Sequence, residues 1–262
     1  MLLSDKTAIV YGAGGSIGGA VARAFAREGA RVHLVGRTAE TLDKVAKDIA
    51  AAGGDAETAV IDALDEAAVE AHAATVAGDG GGIDVSFNLV TRGDVQGASL
   101  LDMPVDDFVR PVVTGVRANF ITARAAARHM AERGSGVVLT LNSGSAHGSP
   151  MMGGTGPADA AIDTLVRNLA MELGPRGVRA VGLWAAGVPE TLTVEKLNAV
   201  DSGMQLDESA IQGLLASLAG MRMTRRNPTL AEIAATAAFL ASDHAGGITG
   251  TFVNVTGGIF PG

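Results

Sequence analysis

The sequence predicts a single-domain, doubly wound α/β fold: a parallel sheet with helices on both faces. Three observations carry that prediction. The stretch Thr7-Ala8-Ile9-Val10-Tyr11 is apolar and rich in strand formers, breaks at Gly12, and passes through Gly14, Gly15 and Gly18 into a helical pattern. Strand-like and helix-like segments then alternate along most of the chain. Finally, 47% hydrophobic residues and 36 glycines among 262 residues suit a tightly packed sheet with a sizeable core, not a disordered chain.

The elements follow in order. After the glycine turn, Ile17, Ala20, Val21, Ala24 and Phe25 share one helical face. Arg31 to Gly36 reads as the second strand. Thr38 stands where it can cap a helix with Leu42, Val45, Ala46 and Ile49 on its apolar side. Residues 51–55 read as a turn, Ala59-Val60-Ile61 as the core of a third strand ending at Asp62, and Glu66 to Val76 as a helix. A glycine-rich loop at 78–82 leads to a fourth strand, Asp84 to Leu89. A long helix over about 112–133, a fifth strand at 137–141, a helix at 158–173 and a sixth strand at 178–184 come next. The alternation stops over about 185–228, a methionine-bearing insertion expected to border the substrate. A helix at 230–241 and a strand at 251–255 complete the pattern. No internal repeat or interdomain linker interrupts it, so residues 1–262 are expected to form one domain.

Composition excludes several functions. A net charge of −8 with no basic block argues against nucleic acid as a partner. The chain has no cysteine, hence no disulfide, thiol nucleophile or zinc–thiolate site, and no metal site is expected. No apolar run is long enough to span a bilayer, and Met1 to Lys6 lead into the first strand without a signal sequence. A soluble cytoplasmic protein with no membrane partner is expected.

A strand, a glycine-rich turn and a helix in that order make a phosphate-binding unit. The turn lets backbone approach a pyrophosphate, and the helix start offers free N–H groups and a positive dipole end. The spacing is not G-x-G-x-x-G, because Ile17 stands at the third glycine. It resembles the T-G-x-x-x-G-x-G turn of the short-chain dehydrogenase/reductase family. Gly12 and Gly18 match its outer glycines, Ser16 replaces the middle one and Tyr11 replaces the threonine. The resemblance extends to Asn88-Leu89-Val90-Thr91, where the family has N-N-A-G, and to the tail Phe239-Leu240-Ala241-Ser242-Asp243, Thr249-Gly250 and Gly257-Gly258.

The resemblance implies a Rossmann fold and an NAD(P)-dependent oxidoreductase. It places Gly12, Gly14, Gly15, Ser16, Ile17 and Gly18 against the cofactor's phosphates, Asp62 with Ala63 against its adenine, and Asn88 in the same site. The family's NAD-binding members carry an acid at the end of the second strand. This chain has Gly36 there, followed by Arg37, which can grip a 2′-phosphate through two N–H bonds. NADP(H) is therefore expected over NAD(H).

The family's proton relay is not legible. It needs a tyrosine and a lysine spaced Y-x-x-x-K, the lysine lowering the pKa of the phenol. Thr155 and Asp159 fall at those positions, and Gly115 falls at that of the catalytic asparagine, one helical turn before Asn119. Tyr11 is the sole tyrosine, and Lys6, Lys44, Lys47 and Lys196 are all remote in sequence. Ala185-Ala186 replaces the usual Pro-Gly. Ser143 is the remaining match to the catalytic set. His147, four residues on, is a candidate proton carrier near neutral pH. Asp159 reads as a helix-start acid serving the helix dipole, with a buried acid as the alternative. Met151, Met152, Met204, Met221, Met223 and Trp184 would give the neighbouring pocket an apolar lining for a small, apolar substrate, with core filling as the commoner role of methionines at helical spacing.

Two functions fit: an NADP(H)-binding oxidoreductase with a non-standard active site, or a catalytically inactive cofactor-binding protein serving as a sensor or as a subunit of a mixed oligomer. The family resemblance also implies a homotetramer formed through the two long helices, where Ala158, Ala160, Ala161 and Ala170 permit close contact.

Overall fold

The computed structural model describes residues 1–193 and 207–259. Seven strands form one parallel sheet: β1 (Thr7–Tyr11), β2 (Arg31–Gly36), β3 (Asp55–Val60), β4 (Val85–Asn88), β5 (Gly136–Asn142), β6 (Val178–Trp184) and β7 (Thr251–Asn254). Their order is β3-β2-β1-β4-β5-β6-β7, so the winding reverses between β1 and β4. A doubly wound sheet opens a ligand crevice at that switch point, beyond the carboxyl ends of the strands.

Period-two alternation divides each strand between two cores. Ala8 and Val10 of β1 join Val32, Leu34, Phe87 and Leu139 under α1 (Ser16–Arg27), α2 (Ala39–Ala51) and the helix Leu230–Ala241. Ile9 and Tyr11 face the other side, under α3 (Glu66–Gly78), α4 (Val105–Arg133) and α5 (Thr155–Leu173). The central strand β1 is buried at every position, as a strand covered on both faces must be. Each fully buried Val, Leu or Ile contributes roughly 1.5–3 kcal/mol.

Three starts differ clearly from the sequence reading, α5 beginning at Thr155 rather than at 158. β3 starts at Asp55, where a turn was expected, because it is an edge strand whose exposed Glu57, Thr58 and Val60 leave no apolar run to read. α4 starts at Val105 rather than near 112. Its first turn carries Asp106 and Asp107, and Pro111 sits inside the helix without ending it. Thr38 occupies the N-cap of α2, but its side chain makes no cap bond. Its carbonyl instead accepts the Thr41 hydroxyl at 2.9 Å.

Between β6 and the last helix the described residues form a single 3-10 turn, Pro189–Thr191, and α6 (Glu208–Met221). The last helix, α7 (Leu230–Ala241), starts on a capping box in which Thr229 and Glu232 exchange backbone bonds. Among the described residues no helix is long and apolar enough to cross a membrane.

Candidate active site

The site is built from the ends of β1 to β5. Gly12 ends β1 at φ +77°, and a Cβ on it would stand 2.6 Å from the Leu89 carbonyl oxygen beyond β4. Gly18, in the first turn of α1, lies so close that a Cβ would collide with the Gly12 carbonyl. Both positions therefore require glycine, and together they fold the start of α1 against the strand end. Gly15 is the N-cap of α1 and offers no side chain to the first turn.

Gly12, Gly14 and Gly15 line one cleft with Gly36, Arg37, Asp62 and Ala63, while Leu89, Val90 and Thr91 form its far wall. Ser16, Ile17 and Gly18 lie immediately behind, in the first turn of α1. No carboxylate stands at the end of β2. Arg37 is exposed there and makes no hydrogen bond or ion pair with the described residues. Asp62 turns its carboxylate to the Leu64 N–H at 3.0 Å. Tyr11 also lines this cleft, fully buried, and burial pushes its phenol pKa up.

A second cleft continues past Leu89, Val90 and Thr91 and is lined by Asn88, Arg92, Asp94, Asn119, Asn142 and Ser143. Asn88 is fixed at both ends: its amide donates to the Thr122 hydroxyl at 3.0 Å and its carbonyl accepts the Val90 N–H at 3.0 Å. Asp159, in α5, is fully buried. Its Oδ2 accepts the Ser143 N–H at 3.0 Å, the Ser143 hydroxyl at 2.7 Å and the Ser145 N–H at 2.9 Å. Its Oδ1 accepts Arg92 Nη1 at 2.7 Å.

Arg92 also donates twice to Asp94, from Nη2 at 3.0 Å and from Nε at 3.3 Å. Asp94 Oδ1 in turn accepts the Thr155 hydroxyl at 2.8 Å. Burial lowers the Arg92 pKa, but the charges of Asp94 and Asp159 more than offset it and hold the guanidinium above its ordinary value. Asp163, a turn further along α5, receives the Asn142 amide at 2.8 Å, and burial raises its carboxyl above the usual range.

The structure thus brings Ser143 and Asp159 together and makes Asp159 a buried acid, not a helix-dipole residue. It does not bring in His147. That side chain is exposed on a 3-10 turn, edge-on to Trp184 at 4.9 Å between ring centres, and lines neither cleft. Among the described residues no methionine lines either cleft. Met151, Met221 and Met223 are exposed, Met152 is half-buried outside both clefts, and Met204 and Lys196 lie outside the described residues.

Sequence reasoning missed Arg92 and Asp94, which belong to no motif. One signal pointed to them. Gly115, a glycine in a helical pattern, costs about 1 kcal/mol and marks a close approach. The approaching group is Arg92: a Cβ at Gly115 would stand 2.7 Å from Arg92 Cδ.

The fold and its glycine-lined crevice define a Rossmann-type α/β protein. A family model described as enoyl-(acyl carrier protein) reductase matches residues 12–259, and the chain belongs to the short-chain dehydrogenase/reductase family of oxidoreductases. It is 33% identical to L-rhamnose 1-dehydrogenase (NAD(P)(+)) of Azotobacter vinelandii over 99% of this chain and 98% of that one. It is 32% identical to gluconate 5-dehydrogenase of Gluconobacter oxydans over 98% and 95% of the two chains. Among solved structures, NAD+-bound xylitol dehydrogenase superposes with a TM-score of 0.86 at 27% identity, covering 98% of this chain and all (100%) of that one. A gluconate 5-dehydrogenase from Burkholderia cenocepacia, in complex with NADP and tartrate, has a TM-score of 0.83 at 25% identity, with 98% and 96% covered.

Proposed function

We propose that this protein is an NADP(H)-dependent oxidoreductase acting on a small molecule through a proton-handling site unlike the tyrosine–lysine pair of its family. The observation that carries the cofactor choice is the end of β2, where Gly36 replaces a carboxylate and Arg37 is exposed without a partner among the described residues. The named relatives do not settle the choice, since one structure holds NAD and another NADP.

The residues fit the dinucleotide. The cradle at Gly12 and Gly18 would be closed by any Cβ, and α1 presents its uncapped N-terminus beside it. Gly14, Gly15, Ser16 and Ile17 complete that contact with the phosphates, Gly36 and Arg37 hold the 2′-phosphate, Asp62 and Ala63 border the adenine, and Asn88 fixes the loop between the clefts. When bound, the cofactor supplies hydride exchange. The chain's own residues orient the substrate: Ser143 is held in place by Asp159, and Arg92 and Asp94 set the polarity beside it. Of the insertion over about 185–228, the described parts, 185–193 and 207–228, are assigned to the substrate side, where Ala185 lines the second cleft, and 194–206 lie outside the described residues. Exposed apolar residues on α4 and α5 support a homotetramer, among them Val113, Phe120 and Met171.

The second reading, a cofactor-binding protein without turnover, is favoured by two observations. The Ser143 hydroxyl is already committed to Asp159, and the sole tyrosine is buried in β1. Fluorescence titration with NADPH and NADH tests the cofactor proposal. NADPH binds more tightly, and Arg37→Ala removes most of the difference. Equal affinities in the parent protein would overturn it.

A further inference from the structure

The second cleft is lined by a guanidinium that is not fully bonded. A guanidinium has five N–H donors. Those of Arg92 make three bonds, two to Asp94 and one to Asp159, which leaves one N–H on each terminal nitrogen. The side chain is 13% exposed, and it lines the cleft. On the same walls the Oδ1 atoms of Asn119 and Asn142 are buried without a hydrogen-bond partner. Each amide is held by its other end: Asn119 Nδ2 donates to the Gly115 carbonyl at 2.9 Å, and Asn142 Nδ2 donates to Asp163 at 2.8 Å. Both amides are therefore held in fixed orientations beneath the cleft, and the donors that reach its space are those of Arg92.

We propose that Arg92 is the cationic hydrogen-bond donor of this cleft, seated by the space at Gly115, and that the cleft takes a small neutral group carrying a carbonyl or hydroxyl oxygen. This deepens the proposed function, on which it rests for the meaning of the cleft as a substrate site. The charge count supports a neutral occupant. Arg92 is clamped by Asp94 and Asp159, so the site has no net positive charge to attract an anion, and its free N–H groups serve a neutral oxygen. Rigidity supports it as well. Three bonds fix the guanidinium plane, and Cδ lies where residue 115 would carry a side chain.

Isobutyramide is a suitable probe, being a neutral primary amide with one carbonyl acceptor and two N–H donors. Its binding is followed on protein labelled with 15N-arginine, with and without NADPH. The Arg92 resonance is identified by its loss in Arg92→Lys, and cooperative thermal melting checks the fold of each variant. The expected result is a saturable shift of the Arg92 signal and roughly tenfold or more weaker amide binding in Gly115→Ala, as for a lost bond to a charged group. Arg92→Met combined with Asp94→Asn and Asp159→Asn removes all three charges of the cluster, and it loses the binding to the same degree. An amide that leaves the Arg92 signal unmoved, or that binds the folded variants as well as the parent, overturns the proposal. The arm without nucleotide separates the two readings: failure to bind NADPH counts against the proposed function, whatever the amide does.

Discussion

The Ser143 hydroxyl lies 2.7 Å from the buried Oδ2 of Asp159, which also receives the Ser143 and Ser145 N–H groups, while Oδ1 of the same carboxylate holds Arg92. One side chain therefore fixes the β5–α5 connection and the loop after β4. Asp159→Ala leaves Arg92 to Asp94 alone and strands two N–H groups, and it is expected to destabilise the protein by about 3–5 kcal/mol. Ser143→Ala removes one of three bonds to Oδ2 and costs about 1–2 kcal/mol. Urea denaturation compares the two, and a larger loss for Ser143→Ala would contradict this ranking.

Ketone reduction is the second prediction. A positioned general acid contributes on the order of a hundred- to ten-thousand-fold. The sole tyrosine is fully buried in β1, and among the described residues no lysine lines either cleft. NADPH consumption with simple ketones such as cyclohexanone is therefore expected at the limit of detection. The pair Thr155→Tyr and Asp159→Lys does not restore it, because the new ammonium faces Arg92. A turnover rate typical of the family, unaffected by Ser143→Ala, would show a different site at work.

The third prediction concerns acid. His33 of β2 and His72 of α3 meet edge-on, 5.9 Å between ring centres, with Glu57 3.8 Å from His33 and Arg31, Asp55 and Asp79 around them. Burial lowers both imidazoles, and the charge of His33 adds to the effect on His72, which falls from 6.5 to about 4. Between those values the unfolded chain binds the extra proton, so stability is complete above pH 6.5 and is lost as the pH falls toward 4. The His72 share is at most about 3 kcal/mol. Melting temperatures at pH 7.5 and pH 5 measure the loss, and His72→Leu is expected to shrink it. An unchanged pH dependence in that variant would refute the assignment.

Assembly gives the fourth. Val113 and Phe120 of α4 are 57% and 44% exposed, and Met171 of α5 is 77% exposed. Ala160 is exposed beside them and Ala161 is half-buried. Ala158 and Ala170 are covered within the protomer, so they do not supply the contact expected of them. Light scattering at micromolar concentration is expected to report a tetramer, and Phe120→Glu a smaller species. A monomeric parent protein would rule this assembly out.

What the sequence made legible followed from local physics. The β1 turn was readable because strand, glycine turn and helix each leave their own pattern within a few residues. β3 was displaced because an exposed edge strand carries Glu57 and Thr58 where a buried one would carry valines. Asp159 was misjudged because burial is set by what packs on a helix, and its partners Ser143 and Arg92 are 16 and 67 residues away. Arg92 belongs to no local pattern, and only the three-dimensional meeting of β4, α4 and α5 gives it a role.

Gly115 and Arg92 also constrain how this protein can diverge. A side chain at 115 enters the volume of the Arg92 stem, a cation at 159 meets the guanidinium, and loss of Arg92 leaves a carboxylate uncompensated in the interior. Breaking such a buried pair costs about 3–5 kcal/mol, a large part of the roughly 5–15 kcal/mol that holds a domain folded. Single substitutions at Arg92, Gly115 or Asp159 thus descend into a fitness valley, whereas coordinated ones need not. The three positions form an epistatic block that selection can exchange only as a set.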